Sequence, residues 1–230
     1  MRLLPKLEHW LFPPIGRKAL ANFNATDLSD EIYKQLILLE QSCPVCAEPT
    51  VSGRVCGQCL ADAPAYDRTQ AILHLNAPLT SLIHDYKYGQ QLFYSRLFAE
   101  IMASHLKTEG VQAMIPIPLS RQRLLSRGFN QSLELAKSLS KRMGIPVMEE
   151  TLSRVKDTPP QASMNARQRQ RNLKHAFQVE PQSLAGVKRV TLIDDVMTTG
   201  ATLHQAARAL KLHCPDMEVQ AWVIARAVKD

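Results

Sequence analysis

The stretch Val190-Thr-Leu-Ile-Asp-Asp-Val-Met-Thr-Thr-Gly-Ala-Thr202 decides the fold class of this chain. Its apolar start predicts a buried strand over residues 187–193. The residues after it predict a helix over 202–212, with Leu203, Ala206, Ala207 and Leu210 on one face. A closing strand is predicted over 219–225. Strand, helix and strand joined by short connections are typical of a parallel sheet that is covered by helices. The sequence therefore predicts an α/β fold.

Apolar periodicity in the rest of the chain extends this pattern. The further predicted elements are strands over 69–75, 111–118 and 146–155, helices over 78–106 (two pieces broken near Gly89) and after Asn130, and a long basic loop over 156–176. The helix after Asn130 is predicted to bury Leu133, Ala136, Leu139 and Met143. Near the start of the chain, Ser29 can cap a short helix, and Ile32, Leu36 and Leu39 would form one face of it.

The residues that follow the predicted strand suit a ribose phosphate. Ligands of parallel sheets bind at the carboxyl ends of the strands. A helix N-terminus favours phosphate, and Gly200 allows the backbone to approach it. The predicted phosphate loop consists of Met197, Thr198, Thr199, Gly200, Ala201 and Thr202. Asp194 and Asp195 would repel a phosphate, but they can accept hydrogen bonds from two vicinal hydroxyl groups, and we expect them outside the core. A mutually repelling acid pair beside an ordinary helix cap is the alternative.

Four cysteines are spaced as C-x2-C-x9-C-x2-C, at Cys43, Cys46, Cys56 and Cys59. Two such pairs can place four thiolates around one Zn²⁺ and leave no open position, so the predicted metal is structural. Disulfides are the alternative, which a cytosolic location disfavours. Cys214 is left over and is predicted to pack as a small side chain.

Charge and length narrow the possible functions. The net charge is +7, and residues 121–142 and 154–175 together carry +10, which leaves −3 on the remainder. Two basic segments suit a polyphosphate or a nucleic-acid backbone, although a solvated basic surface is the alternative. No apolar run is long enough for a membrane span or a signal peptide, so we expect a cytoplasmic protein. At 230 residues, we expect one α/β domain and a smaller module.

Several motifs together resemble the ComF-like family. They are the cysteine pairs, Leu82-Ile-His-Asp-Tyr-Lys-Tyr88, Ile115-Pro-Ile-Pro-Leu-Ser-Arg-Gln-Arg-Leu-Leu-Ser-Arg-Gly-Phe-Asn-Gln-Ser132, Gln161 with residues 167–177, and the acidic motif, which is similar to that of type I phosphoribosyltransferases. The resemblance spans about residues 43–226. It implies a leader over 1–42, partly helical, a zinc module over 43–66 and a type I phosphoribosyltransferase-like domain over 67–230.

The resemblance also implies roles for individual residues. Asp194 and Asp195 would hold the ribose hydroxyls of 5-phosphoribosyl-1-pyrophosphate, and the phosphate loop would hold its 5-phosphate. Lys87 and Arg121 are further expected phosphate contacts, and Mg²⁺ would accompany the pyrophosphate. The expected nucleic-acid contacts are Arg123, Arg127, Arg167, Arg169 and Arg171, with pyrophosphate or solvent as alternative partners.

The ComF-like family is associated with natural competence and with the use of DNA as a nutrient. By this resemblance, the chain would handle incoming single-stranded DNA together with other proteins of the uptake machinery. Two alternatives stay open: an active nucleobase phosphoribosyltransferase of nucleotide salvage, and a regulator that senses the metabolite without catalysis. Trp222 lies within a strand pattern and is expected in the core rather than in a base pocket.

Overall fold

The computed structural model of the chain describes residues 30–89, 91–155 and 176–228. The described residues form six strands: β1 (Arg68–His74), β2 (Ala113–Pro116), β3 (Leu152–Arg154), β4 (Phe177–Val179), β5 (Arg189–Met197) and β6 (Glu218–Arg226). Their helices are α1 (Asp30–Lys34), α2 (Gly57–Ala61), α3 (Leu79–Tyr88), α4 (Phe93–Ala103), α5 (Arg121–Arg127), α6 (Gln131–Met143) and α7 (Ala201–His213), with a 3₁₀ turn at Pro181–Leu184.

Four strands form a parallel sheet in the order β1-β6-β5-β2. Every residue of β6 after Glu218 is buried, because helices or loops cover both faces of the sheet. Successive side chains point to opposite faces, so Trp222 packs in one core cluster and Val223 in the other. The first cluster lies against α3, α4 and α6, and the second lies against α7. The predicted parallel α/β fold and the core position of Trp222 are confirmed.

Most predicted elements agree with the structure to within a few residues. The break near Gly89 is confirmed, since α3 ends at Tyr88 and α4 begins at Phe93. Asn130 caps α6 by accepting the backbone N–H of Ser132 at 3.1 Å. The face predicted for α7 is confirmed: the structure buries Leu203, Ala206, Ala207 and Leu210.

Two predicted strands differ from the structure. The strand expected over 146–155 is wrong for most of its length, because only Leu152–Arg154 pairs, antiparallel with β4 and outside the main sheet. Val147 makes a single parallel bridge to Met114. The strand expected to end at 193 continues to Met197, since β6 is long enough to pair with it as far as Arg226.

The helices show two smaller corrections. In α6 the fully buried apolar residues are Leu135, Ala136 and Leu139, while Leu133 and Met143 are only partly buried. The leader helix α1 ends at Lys34, so Leu36 and Leu39 lie beyond it, and the chain is extended where Leu38 bridges β1. Ser29 and residues 156–175 of the loop predicted over 156–176 lie outside the described residues.

The cysteine-containing segment packs against the end of the sheet that carries the acidic motif. The backbone N–H of Thr69 donates to the carbonyl of Pro44 at 3.0 Å, and that of Ala65 donates to Nδ1 of His204 in α7 at 3.0 Å. Among the described residues, no helix is long and apolar enough to span a membrane. The boundaries predicted at residues 42 and 66 stay predictions.

Candidate functional site

The two acidic residues lie near the end of β5. Their side chains contact residues of two helices. Ser132 at the start of α6 donates its hydroxyl to Asp194 Oδ1 at 3.0 Å. Lys87 near the end of α3 pairs with Asp195 Oδ2 at 2.9 Å. Asp194 is partly exposed, whereas Asp195 is only 6% exposed. The expectation that both carboxylates lie outside the core is therefore wrong for Asp195, because β5 continues past it and Lys87 covers it.

Lys87 and Ser132 change the predicted picture of the site. Lys87 was expected to contact a phosphate, but the structure places its ammonium group on Asp195. Ser132 was not predicted as a site residue, although it ends the basic motif that begins at Ile115. The sequence signal for Ser132 is its position two residues after the helix cap, which places its hydroxyl at the first turn of α6. Together these contacts fix one oxygen of each carboxylate.

The Asp194 carboxyl titrates in an unusual range. Burial, reinforced by the negative charge of Asp195, raises the pKa of Asp194 to about 7, while Lys87 and the Ser132 hydroxyl oppose this shift. A raised carboxyl pKa favours the folded state at low pH, and this contribution is lost as the pH rises through about 7. Donation from a ribose hydroxyl would stabilise the ionised form, so ligand binding and deprotonation are linked.

We expect the affinity for ribose 5-phosphate to rise with pH in a way that depends on Asp194. The ratio of wild-type affinity to that of Asp194→Asn should increase about tenfold between about pH 6 and pH 8, because the carboxyl ionises within this window. Taking the ratio cancels ionisation of the ligand phosphate. Calorimetric titration at each pH measures both affinities, and a constant ratio would contradict the linkage.

The predicted phosphate loop connects β5 to the N-terminus of α7. Thr198 and Thr199 are exposed, and Gly200 adopts a left-handed conformation with φ of 72°. A Cβ atom on Gly200 would lie 2.6 Å from Cε of Met197 and 2.7 Å from the hydroxyl of Tyr66, so no other residue fits without a shift. A depression of about 20 Å³ is lined by Asp194 and residues 196–203. It is too small to enclose a whole nucleotide.

The first turn of α7 is free of acidic residues, which leaves the positive end of the helix dipole uncompensated by side chains. Backbone N–H groups in this turn have no helical partner, as at every helix start. Ala201 donates its N–H only weakly, to Oγ1 of Thr199 at 3.4 Å. The loop and the helix start can therefore hold an anion.

The basic motif after β2 forms α5, which buries none of its residues. We call Arg121, Arg123 and Arg127 the α5 arginines. Arg121 is exposed, and Arg127 donates to Oε1 of Gln131 at 3.0 Å and to the hydroxyl of Tyr88 at 3.2 Å. Its guanidinium also lies over the Tyr88 ring, 5.0 Å from the centroid. Arg127 therefore lies against the exposed ring of Tyr88, and Tyr88 directly follows Lys87 in the sequence.

Arg167, Arg169 and Arg171, which we call the downstream arginines, lie outside the described residues. Tyr88, the last residue of α3, was not predicted as a site residue, but it is 60% exposed. An exposed ring can stack on a nucleobase, and a nearby arginine can contact phosphate. Its sequence signal is weak, because the motif that contains it also contains core residues.

The four cysteines of the predicted metal site lie together. Their sulfur atoms are within 4.8 Å of one another, and the Sγ atoms of Cys46 and Cys56 are 3.6 Å apart. Four sulfurs at ~2.3 Å from one ion in a tetrahedron would be about 3.8 Å apart. The sulfurs are too far apart for disulfides, and all four thiols are free. The cluster can therefore hold a metal ion such as zinc.

A backbone hydrogen bond supports the cysteine cluster. The N–H of Cys56 donates to Sγ of Cys43 at 3.3 Å. Although burial opposes it, donation from backbone N–H groups lowers the pKa of Cys43 to about 7. Cys214 follows α7, packs beside the second core cluster and takes no part in the metal-type cluster, as predicted.

A cavity of about 530 Å³ lies between α4 and α6. Its lining includes Arg96, Lys137 and Glu149, of which the last two form an ion pair at 3.3 Å. None of the predicted site residues lines it. The small depression beside Asp194 is the better candidate site, because it combines this carboxylate with the loop and the backbone N–H groups at the start of α7.

The chain is similar to curated competence and DNA utilisation proteins. Competence protein F of Haemophilus influenzae is 35% identical over 182 residues, which cover 75% of this chain and 78% of that protein. DNA utilization protein YhgH of Salmonella typhimurium is 30% identical over 218 residues, 91% of this chain and 93% of the relative. Competence protein ComFC of Bacillus subtilis is 28% identical over 180 residues, 73% and 70% of the two chains. No model of a known protein family matches the chain.

Proposed function

Since the chain belongs to the ComF family of competence and DNA utilisation proteins, we propose that it handles single-stranded DNA and binds a 5-phosphoribosyl-1-pyrophosphate-type ligand at the end of β5. The names of the relatives support a role in natural transformation or in DNA utilisation. The ligand rests on one observation in particular, the juxtaposition of the acid pair with the phosphate loop at the start of α7.

The chemistry of this juxtaposition supports a ribose phosphate rather than phosphate alone. The loop offers backbone donors and the helix dipole to an anion. The partly exposed Asp194 would repel an anion at the same place, but it can accept a hydrogen bond from a neutral hydroxyl. A ligand that carries a phosphate and hydroxyls a short distance apart satisfies both halves of the site. Mg²⁺ would accompany a pyrophosphate on the ligand.

Calorimetric titration tests this function. The metal-loaded chain should bind 5-phosphoribosyl-1-pyrophosphate with Mg²⁺, and bind ribose 5-phosphate more tightly than inorganic phosphate. The same protein incubated with a panel of nucleobases measures turnover, because release of pyrophosphate reports a salvage enzyme. Binding without turnover supports a DNA-handling or sensing role. Absence of binding would contradict the proposed ligand.

The DNA role rests on the basic segments and on the exposed face of α5. The segments 121–142 and 154–175 carry +10 between them. The α5 arginines follow the carboxyl end of β2, which is the neighbour of β5 in the sheet. Exposed Tyr88 adds a ring on which a base can stack. A strand bound here would run close to the ribose phosphate site.

We expect the affinity for single-stranded DNA to fall steeply with salt and to depend on both groups of arginines. Each phosphate contact contributes a slope of about −0.7 in a plot of log affinity against log salt. Replacing all three α5 arginines with alanine should flatten the slope by up to about 2 and weaken all sequences alike. Replacing the downstream arginines should do the same. Fluorescence anisotropy over a salt series measures the slope.

The matched control removes three positive charges from exposed positions outside both basic segments, at Lys34, Lys188 and Arg208. It has the same net charge as either triple variant, and its slope should stay close to that of the wild type. If the slope flattened equally in the control, DNA binding would depend on net charge alone and not on these arginines. If a triple variant loses ligand affinity while its DNA binding is unchanged, its arginines serve pyrophosphate instead.

A further inference from the structure

Arg226, the last residue of β6, is a buried arginine that no predicted role explains. It is only 7% exposed. Its guanidinium lies between the cysteine cluster and the phosphate loop and forms hydrogen bonds to both. A buried arginine is stable only when its donors are satisfied, so these contacts are obligatory rather than incidental.

On the side of the cysteine cluster, Nε donates to the carbonyl oxygen of Cys46 at 3.1 Å. Nη2 donates to Oε2 of Glu48 at 2.7 Å, which forms a largely buried ion pair. Both acceptors belong to the hairpin that carries the first two cysteines. The backbone carbonyl of Glu48 also accepts the N–H of Cys43 at 2.7 Å, so the ion pair and the hairpin share one residue.

On the side of the phosphate loop, Nη1 donates to the carbonyl of Met197 at 3.2 Å and also contacts the carbonyl of Thr198. In a trans peptide, the C=O and the following N–H point in opposite directions. Holding these two carbonyls therefore turns the N–H groups of Thr198 and Thr199 away from Arg226. Both residues line the depression beside Asp194.

We propose that Arg226 is a positioning residue that couples metal binding at the four cysteines to phosphate binding in the loop. The hairpin, when it holds the metal, presents Cys46 and Glu48 to the guanidinium. The guanidinium then fixes the loop peptides with their N–H groups directed toward the ligand. This inference rests on the proposed phosphate site, and it adds that the metal supports that site at a distance.

Tyr66 provides a second contact between the two regions. It is buried, it packs in the same core cluster as Cys46, and its hydroxyl lies directly below Gly200 of the loop. A displaced hairpin would therefore disturb the loop both through Arg226 and through Tyr66. Arg226 contacts the carbonyls of Met197 and Thr198, whereas Tyr66 lies below Gly200, so replacing Arg226 separates the two effects.

Two protected amides report the loop conformation without any ligand. His204 donates its N–H to the carbonyl of Gly200 at 2.9 Å, and Ala227 donates to that of Met197 at 2.9 Å. Hydrogen exchange at these two amides should accelerate about tenfold when zinc is removed from the wild-type protein by a chelator. In Arg226→Lys, exchange at both amides should already be fast with zinc bound, and zinc removal should accelerate it little further. The reason is that a lysine ammonium group cannot hydrogen-bond to the cysteine hairpin and to the phosphate loop at the same time.

Glu48→Gln is a milder variant that keeps the backbone of the hairpin and removes only the charge, and it carries the test if Arg226→Lys does not fold. It should give a smaller acceleration in the same direction. Arg189→Lys is the matched control, since Arg189 pairs with Glu218 at 2.6 Å at the opposite ends of β5 and β6. Its exchange should match the wild type with and without zinc.

The coupling is reciprocal in binding free energy, which gives a second measurement. Ribose 5-phosphate should raise the affinity for zinc, measured by equilibrium competition with a chelator, in the wild type but not in Arg226→Lys. The inference would be overturned if zinc removal left exchange at both amides of the wild type unchanged. It would also be overturned if zinc removal accelerated exchange equally in the wild type and in Arg226→Lys. A wild-type protein that shows the exchange effect but binds no ribose 5-phosphate contradicts the proposed function instead, and leaves the metal-to-loop coupling in place.

Discussion

Replacing both Asp194 and Asp195 with asparagine is expected to reduce the affinity for 5-phosphoribosyl-1-pyrophosphate by about 100-fold or more. Hydrogen bonds to a charged group contribute about 1.5–3 kcal/mol each, and the ribose hydroxyls would lose two such acceptors. Asparagine keeps the shape of the side chain and an oxygen to accept the N–H of Val196 and the hydroxyl of Ser132. It is therefore a better test than alanine at the buried Asp195.

Inorganic phosphate should respond in the opposite direction. In the proposed site, the loop would bind phosphate without the acid pair, and the loss of two negative charges would free the ammonium of Lys87, so phosphate affinity should stay equal or rise. Calorimetry with both ligands measures the contrast. This opposite response separates loss of ribose recognition from general damage to the site, which would weaken both ligands.

The control for the acid pair removes two carboxylates at the other end of the sheet, by Asp67→Asn with Glu218→Gln. These residues pair with Lys211 at 2.7 Å and with Arg189 at 2.6 Å, so the change in charge and in ion pairs is matched. Its ligand affinity should stay within about twofold of wild type, because the charges lie far from the loop. Unchanged affinity in a folded Asp194 and Asp195 double variant would exclude the proposed site.

Removing the metal is expected to cause the largest loss of stability. We expect one zinc ion per chain, bound by Cys43, Cys46, Cys56 and Cys59. The binding free energy of a structural zinc contributes directly to folding. If about 5 kcal/mol is lost, the melting temperature of a chain of this size falls by roughly 10 °C or more. Elemental analysis and thermal melting with and without a chelator measure both quantities.

Cys43→Ser should reproduce the effect of the chelator, since it removes one of the four ligands. Cys214→Ser is the matched control, because this cysteine lies outside the cluster and should leave the metal content unchanged. Purified wild-type protein that contains no metal, with the four cysteines in disulfides, would contradict the prediction. An equal loss of metal in Cys214→Ser would show that the cluster is not the binding site.

The sequence by itself determined the features that depend on short spacing. The acidic motif and its loop occupy thirteen consecutive residues, and the four cysteines lie within seventeen, so their residue types and spacing alone indicate the chemistry. The same holds for α7, whose buried face follows from helical periodicity, and for the cap at Asn130. These predictions depend on local geometry that a short peptide segment already carries.

Only the tertiary structure decided how these segments meet. Ser132 contacts Asp194 across 62 positions of the chain, and Arg226 contacts Glu48 across 178. Neither pair has a spacing that a sequence pattern can reveal, because their proximity follows from the strand order β1-β6-β5-β2 and from the packing of the cysteine hairpin on the end of β6. The length of β5 was decided in the same way: β6 supplies hydrogen-bond partners as far as Arg226, so the strand continues through Asp195 and buries it.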